Sequence, residues 1–88
     1  VAYEILIDRK AKKVLATLDQ ETARRIHGVL AVLSIDPRPP GVRKVANSPY
    51  YRARVGVYRI IFEIVDSKLI VHVVGIEHRR SAYRGLSS

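Results

Sequence analysis

Tyr50-Tyr51-Arg52-Ala53-Arg54-Val55-Gly56-Val57-Tyr58-Arg59-Ile60-Ile61-Phe62 reads as two β-strands joined at Gly56. Strand side chains alternate between faces, so Arg52 and Arg54 point the same way. Two like charges on one strand face repel unless something anionic lies between them. Guanidinium groups offer planar, bidentate hydrogen bonds that suit phosphate, and tyrosines offer flat surfaces for a base. The stretch therefore predicts a small sheet with a nucleic-acid backbone held against it.

Working outward, Val57 to Val65 is the longest predicted strand. Tyr58, Ile60, Phe62 and Ile64 form one face; Arg59, Ile61 and Glu63 form the other. A strand apolar on both sides at its centre belongs in mid-sheet. Asp66-Ser67-Lys68 turns the chain into a strand from Leu69 to about Ile76, and Arg79 to Gly85 reads as a helical turn. Upstream, Val42 to Pro49 looks irregular, and Asp36-Pro37-Arg38-Pro39-Pro40-Gly41 forms a stiff loop. Two helices precede it. Asp8 and Asp19 occupy N-cap positions. Ala11, Val14, Leu15 and Leu18 share one helical face; Ala23, Ile26, Val29, Leu30 and Leu33 continue the stripe on the second helix. The short link makes them an antiparallel hairpin. Gly28 interrupts the second helix, and close helix packing is the simplest reason for it. Tyr3 to Ile7 reads as a first strand.

The expected fold is thus α+β, in the order β-α-α-β-β-β with a short C-terminal helical turn. A mainly antiparallel sheet carries the helical hairpin on one face. Residues 1–88 form a single domain. The opposite sheet face is left to solvent, ligand or partner, and Arg52, Arg54 and Arg59 are expected there.

Composition narrows the partner. The net charge is +8, distributed as +1 over residues 1–37 and +7 over residues 38–88, so the excess belongs to the strand-rich part. Such asymmetry points to an acidic partner. There is no cysteine, which excludes disulfides and thiolate metal sites. His72 and His78 have no carboxylate or cysteine at metal-ligand spacing, so neither a metal nor a cofactor is expected. No apolar run approaches the ~20 residues that span a bilayer. No basic amphipathic helix with bulky anchors suggests a membrane surface. A cytoplasmic protein is the expectation.

This organisation, with Tyr51-Arg52-Ala53-Arg54-Val55-Gly56-Val57-Tyr58-Arg59-Ile60-Ile61-Phe62 and Glu77-His78-Arg79-Arg80-Ser81-Ala82-Tyr83-Arg84, resembles the RelE family of toxins over essentially the whole chain. The resemblance implies a toxin that enters the ribosomal A site and cleaves mRNA, and a cognate antitoxin that wraps and blocks it. It implies that Arg52 and Arg54 occupy positions where some members carry lysines implicated in activating the 2′-OH. Arg59 matches an arginine that stabilises the transition-state phosphate. Arg79 or Arg80 matches a C-terminal basic group, and Tyr83 an aromatic that orients a base. Arg43, Lys44, Tyr51 and Arg84 complete the expected substrate-binding set.

Two departures bear on the chemistry. Arginine is always protonated and makes a poor general base where lysine could serve. His78, with a reference pKa near 6.5, is a candidate for acid or base duty. Val57 stands where many relatives carry an acidic residue. The bland readings are also specific. Arg59 could pair with Glu63, Tyr58 lines up with the core, and His72 suits a hydrogen-bonded structural role. A gyrase-directed toxin of the related ParE branch, or an inactive RNA-binding relative, remains an alternative. The nuclease reading requires Arg52, Arg54, Arg59 and Arg79 or Arg80 to converge on one anionic pocket.

Overall fold

The structure, a computed structural model, describes residues 2–80. Strand β1 (Glu4–Ile7) leads into helices α1 (Arg9–Thr17) and α2 (Gln20–Ile35). Strands β2 (Arg43–Lys44), β3 (Tyr50–Val55), β4 (Tyr58–Val65) and β5 (Ile70–His78) follow, with a 3-10 turn over Asp66–Lys68. The sheet order is β1-β5-β4-β3-β2. Only the β1–β5 pair is parallel; the other neighbours are antiparallel. The α+β class and the helical hairpin on a mainly antiparallel sheet are as the sequence predicts. One element differs: inside the stretch read as irregular, Arg43 and Lys44 pair with Arg52 and Tyr51 as an edge strand. A strand of two residues carries too little alternation to be legible.

The core lies between the helices and one sheet face. Ala11, Ile26, Leu30 and Leu33 pack against Ala53, Val55, Ile60, Phe62, Val71, Val73 and Ile76. Ala53 and Val55 alternate with Arg52 and Arg54, so the apolar residues of β3 turn toward the helices and the arginines turn away. Burying each large aliphatic or aromatic side chain is worth roughly 1.5–3 kcal/mol. Asp19 caps α2 by accepting the Thr22 N–H at 3.1 Å, and the Thr22 side chain and then this N–H hold its carboxyl below the usual range. Asp8 stands at the start of α1 without a side-chain cap. Gly28 is exposed, and a Cβ built there meets nothing within 4 Å, so close packing is not its reason.

Two local features set the sheet geometry. Gly56 adopts φ +60 in a two-residue turn flanked by the Val55–Tyr58 pair, a conformation that favours glycine. In β5 a bulge intervenes: Ile61 faces Gly75 while Phe62 faces Val73, leaving Val74 extra. The bulge inverts the alternation. Val71 and Val73 face the helices before it, and Ile76 and His78 after it.

Candidate nucleic-acid interface

The sheet face away from the helices can be read from the register, because residues directly opposite one another share a face. One row runs Tyr50, Glu63, His72, Leu6 across β3, β4, β5 and β1. The next runs Arg43, Arg52, Ile61, Gly75 across β2, β3, β4 and β5. The third runs Arg54, Arg59, Glu77. Four arginines from three adjacent strands therefore occupy one corner of the open face. Together with Gly41 they line a shallow cavity of about 120 Å³.

Neighbouring strands lie ~4.8 Å apart, so paired guanidinium groups reach into the same space. Arg43 opposes Arg52, and Arg54 opposes Arg59. Like charges directly opposite are unfavourable in a bare sheet. An anion between them removes that repulsion and receives charge-assisted, forked hydrogen bonds. Gly41, with φ +96, turns the chain from the proline loop into β2 and leaves the cavity mouth without a side chain. Ile61 and Gly75 make a flat floor beside the arginines, and Tyr50 stands two residues from Arg52 on the same face of β3.

The other expected residues are placed as follows. Tyr51 turns to the helix side, stacked on Phe62 with centroids 5.9 Å apart, and Lys44 opposes it there. His78 also lies on the helix side, in edge-to-face contact with Tyr58 at 5.3 Å. Its Nδ1 accepts the Arg80 N–H at 3.2 Å, which leaves Nε2 to carry the proton in the neutral ring. His78, Arg79 and Arg80 line a separate depression around Val57, and the Arg79 N–H donates to the Val57 carbonyl. The structure gathers Arg43, Arg52, Arg54 and Arg59 around one cavity and sets His78, Arg79 and Arg80 around Val57. The β5 bulge turns His78 to the helix side. Tyr83, Arg84 and most of the predicted C-terminal helical turn lie outside the described residues.

Glu63 Oε1 accepts from His72 Nδ1 at 3.1 Å. His72 is thus a hydrogen-bonded structural histidine. Two residues on the open face or at its border escaped sequence reasoning. Tyr50 shares the face of Arg52 and Arg54, whereas the expected substrate-binding set names its neighbour Tyr51. Gly41 carried only a turn signal. Among the described residues no group of three or more His, Asp or Glu could hold a metal ion. No described helix is long and apolar enough to cross a membrane.

The molecule is an open-faced sheet with a helical hairpin behind it and a guanidinium cluster in front. Residues 5–83 match the model of the ParE toxin of the type II toxin–antitoxin system parDE. The chain belongs to that family, within the RelE/ParE superfamily of toxins. Among solved structures, it is similar to the archaeal RelE–RelB complex from Pyrococcus horikoshii OT3. The TM-score is 0.81 at 25% identity, over 90% of this chain and 97% of that one. The intact E. coli RelBE toxin–antitoxin complex shares the fold with a TM-score of 0.79 at 22% identity, over 88% and 96% of the two chains. The YoeB/ParE toxin from Agrobacterium tumefaciens shares it with a TM-score of 0.75 at 11% identity, over 85% and 96%. A comparison with curated proteins gave no significant match.

Proposed function

We propose that this toxin is a metal-independent endoribonuclease that cleaves mRNA in the ribosomal A site. The observation that carries the reading is the Arg43, Arg52, Arg54 and Arg59 cluster on the uncovered sheet face. In the reaction the RNA 2′-oxygen attacks the adjacent phosphorus and the bond to the 5′-oxygen breaks. Negative charge grows on the phosphate oxygens as it does so. Fixed guanidinium groups at that phosphate stabilise the charge without reorganising, the commonest large contribution to such catalysis. Arg59, flanked by Arg54 on one side and Glu77 on the other, is the arginine nearest the middle of the sheet and serves the scissile phosphate. Arg43 and Arg52 hold the neighbouring backbone.

A guanidinium does not accept a proton at physiological pH, so the cluster supplies charge and not the base. The 2′-OH proton goes to a base outside the cluster, contributed by the RNA, the ribosome or His78, and the departing 5′-oxygen takes up a proton to become the 5′-hydroxyl, while Arg79, Arg80 and Arg84 add positive charge. Tyr83 is the proposed stacking residue. The toxin acts in the cytoplasm. An antitoxin encoded beside it, related to the RelB partners of the similar complexes, covers the basic face and silences it.

The test is a 5′-end map of mRNA on translating ribosomes after addition of purified protein. Cuts within the A-site codon carrying 5′-hydroxyl ends, absent with Arg59→Ala, are the expected result. A 5′-phosphate at the cut would contradict 2′-OH attack.

A second reading has its own support: the matching family model is that of the parDE toxin, and the arginine cluster contains no general base. In that reading the toxin acts on DNA gyrase without cleaving RNA. Persistent double-strand DNA breaks in cells whose mRNA stays intact would select it.

A further inference from the structure

A polar clasp lies on the helix side, away from the arginine cavity, and joins four separate parts of the chain. Arg38 NH1 and NH2 donate to Asp66 Oδ1 and Oδ2 at 3.2 and 2.9 Å, a forked pair. Tyr3 OH donates to Asp66 Oδ1 at 2.7 Å. Arg38 Nε donates to Tyr51 OH at 3.3 Å, and the guanidinium carbon lies 5.2 Å from the Tyr51 ring centroid. The clasp thus links the residue ahead of β1, the loop after α2, strand β3 and the turn between β4 and β5. Arg38 and Asp66 are both about half exposed, so this ion pair is worth little as stability. Its value lies in what it aims.

Arg38 begins the arm that ends at the cavity. The Arg38 N–H donates to Asp36 Oδ1 at 3.0 Å, and the Val42 N–H to the Pro39 carbonyl at 3.1 Å. Pro39 and Pro40 fix their own φ, so the segment from Arg38 to Gly41 behaves as a short stiff lever. Pro37 is buried and anchors its near end. The far end delivers Gly41 and Arg43. Strand β2, which carries Arg43, has only two register pairs, Arg43–Arg52 and Lys44–Tyr51. Its first pair sets two guanidinium groups against each other, so β2 gains little from side-chain pairing there.

We propose that Arg38 and Asp66 are positioning residues that hold Arg43 in the arginine cluster from the opposite side of the sheet. This inference rests on the reading of that cluster as a phosphate site. Neither residue touches the cavity; each acts through the proline lever and through Tyr51, which pairs with Lys44 beside Arg43.

The test is a double-mutant cycle on binding of a short single-stranded oligouridylate to the intact protein, read by fluorescence anisotropy. Asp66→Asn keeps the shape and removes the charge; Arg38→Lys keeps the charge and removes the fork. Either variant should weaken binding several-fold, as Arg43→Ala does, and flatten its salt dependence by about one phosphate contact. In the Arg43→Ala background the same substitution should change affinity by less than about twofold, whereas with Arg59→Ala the effects should add. Equal losses in both backgrounds would overturn the proposal, as would no loss at all. Amide hydrogen exchange without RNA separates this from the nuclease reading. Asp66→Asn and Arg38→Lys should raise exchange at Val45, whose N–H donates to the Tyr50 carbonyl, and leave the centre of β4 and β5 protected. If the wild-type protein binds no RNA, the phosphate-site reading fails, and unchanged exchange at Val45 would sink the clasp's role as well.

Discussion

Arg54 and Arg59 stand directly opposite each other across the β3–β4 ladder, on the sheet face that the helices leave open. The hairpin turn at Gly56 enforces this pairing, since Val55 and Tyr58 close it and the next pair out is Arg54–Arg59. Two cations directly opposite one another repel, and an anion bound on the open face would offset that repulsion.

Arg54→Gln should therefore stabilise the isolated protein while weakening its function. Removing one of two opposed like charges is worth roughly 0.2–1 kcal/mol. Denaturant unfolding at low salt should show that gain, shrinking as salt screens the pair. RNA affinity should fall in the same variant. A variant that lost stability and kept full affinity would mean that the two arginines do not share an anion.

Arg59→Ala tests the chemistry. Loss of one preformed donor at the developing charge typically costs about 10²–10³ in rate. Growth arrest on expression without antitoxin should be relieved by the variant, provided it accumulates normally. Undiminished arrest from a folded, abundant variant would remove Arg59 from the mechanism.

The clasp predicts two pH limits. Hydrogen bonds from Arg38 and then Tyr3 hold the Asp66 carboxyl below its usual range. Its contribution is present above the ordinary carboxylate range and is lost as pH falls through that lowered value. Bonding to Asp66 raises the Tyr3 hydroxyl above its usual value. That contribution is present below the ordinary tyrosine range and is lost as pH rises through the raised value. Exchange at Val45 should thus be slowest at intermediate pH relative to the rest of the sheet. In Asp66→Asn the acid-side change should disappear.

Gly28→Ala should raise stability by about 0.5–1 kcal/mol. The position is a helix interior, exposed, with room for a methyl group. Gly56→Ala should do the reverse, because φ +60 strains any residue with a Cβ. Thermal melts of the two variants should move in opposite directions. If Gly28→Ala destabilised the protein, its surface would carry a contact beyond those described.

Phe62→Ala should be the most damaging core change. The ring is fully buried and stacks on Tyr51, whose hydroxyl in turn accepts from Arg38. A loss of about 3–5 kcal/mol is expected. Circular dichroism and unfolding midpoints would measure it; a midpoint near that of the wild type would show that the sheet–helix interface is packed differently.

Much of the architecture could be read from residue spacing. The alternation Arg52-Ala53-Arg54-Val55 separated arginine face from core face, and helical spacing selected Ala11, Ile26, Leu30 and Leu33 for burial. Those are relations within one segment, where backbone period alone decides which side chains travel together. Pairing between segments is different. That Arg43 joins Arg52, that an extra Val74 turns His78 to the helices and Glu77 toward Arg59, and that Arg38 grips Asp66 depend on how distant stretches align. Alignment is settled by the summed packing of all strands and helices at once. No single stretch carries that sum, so the corner where four guanidinium groups meet, and the clasp behind it, emerge only when the chain is folded.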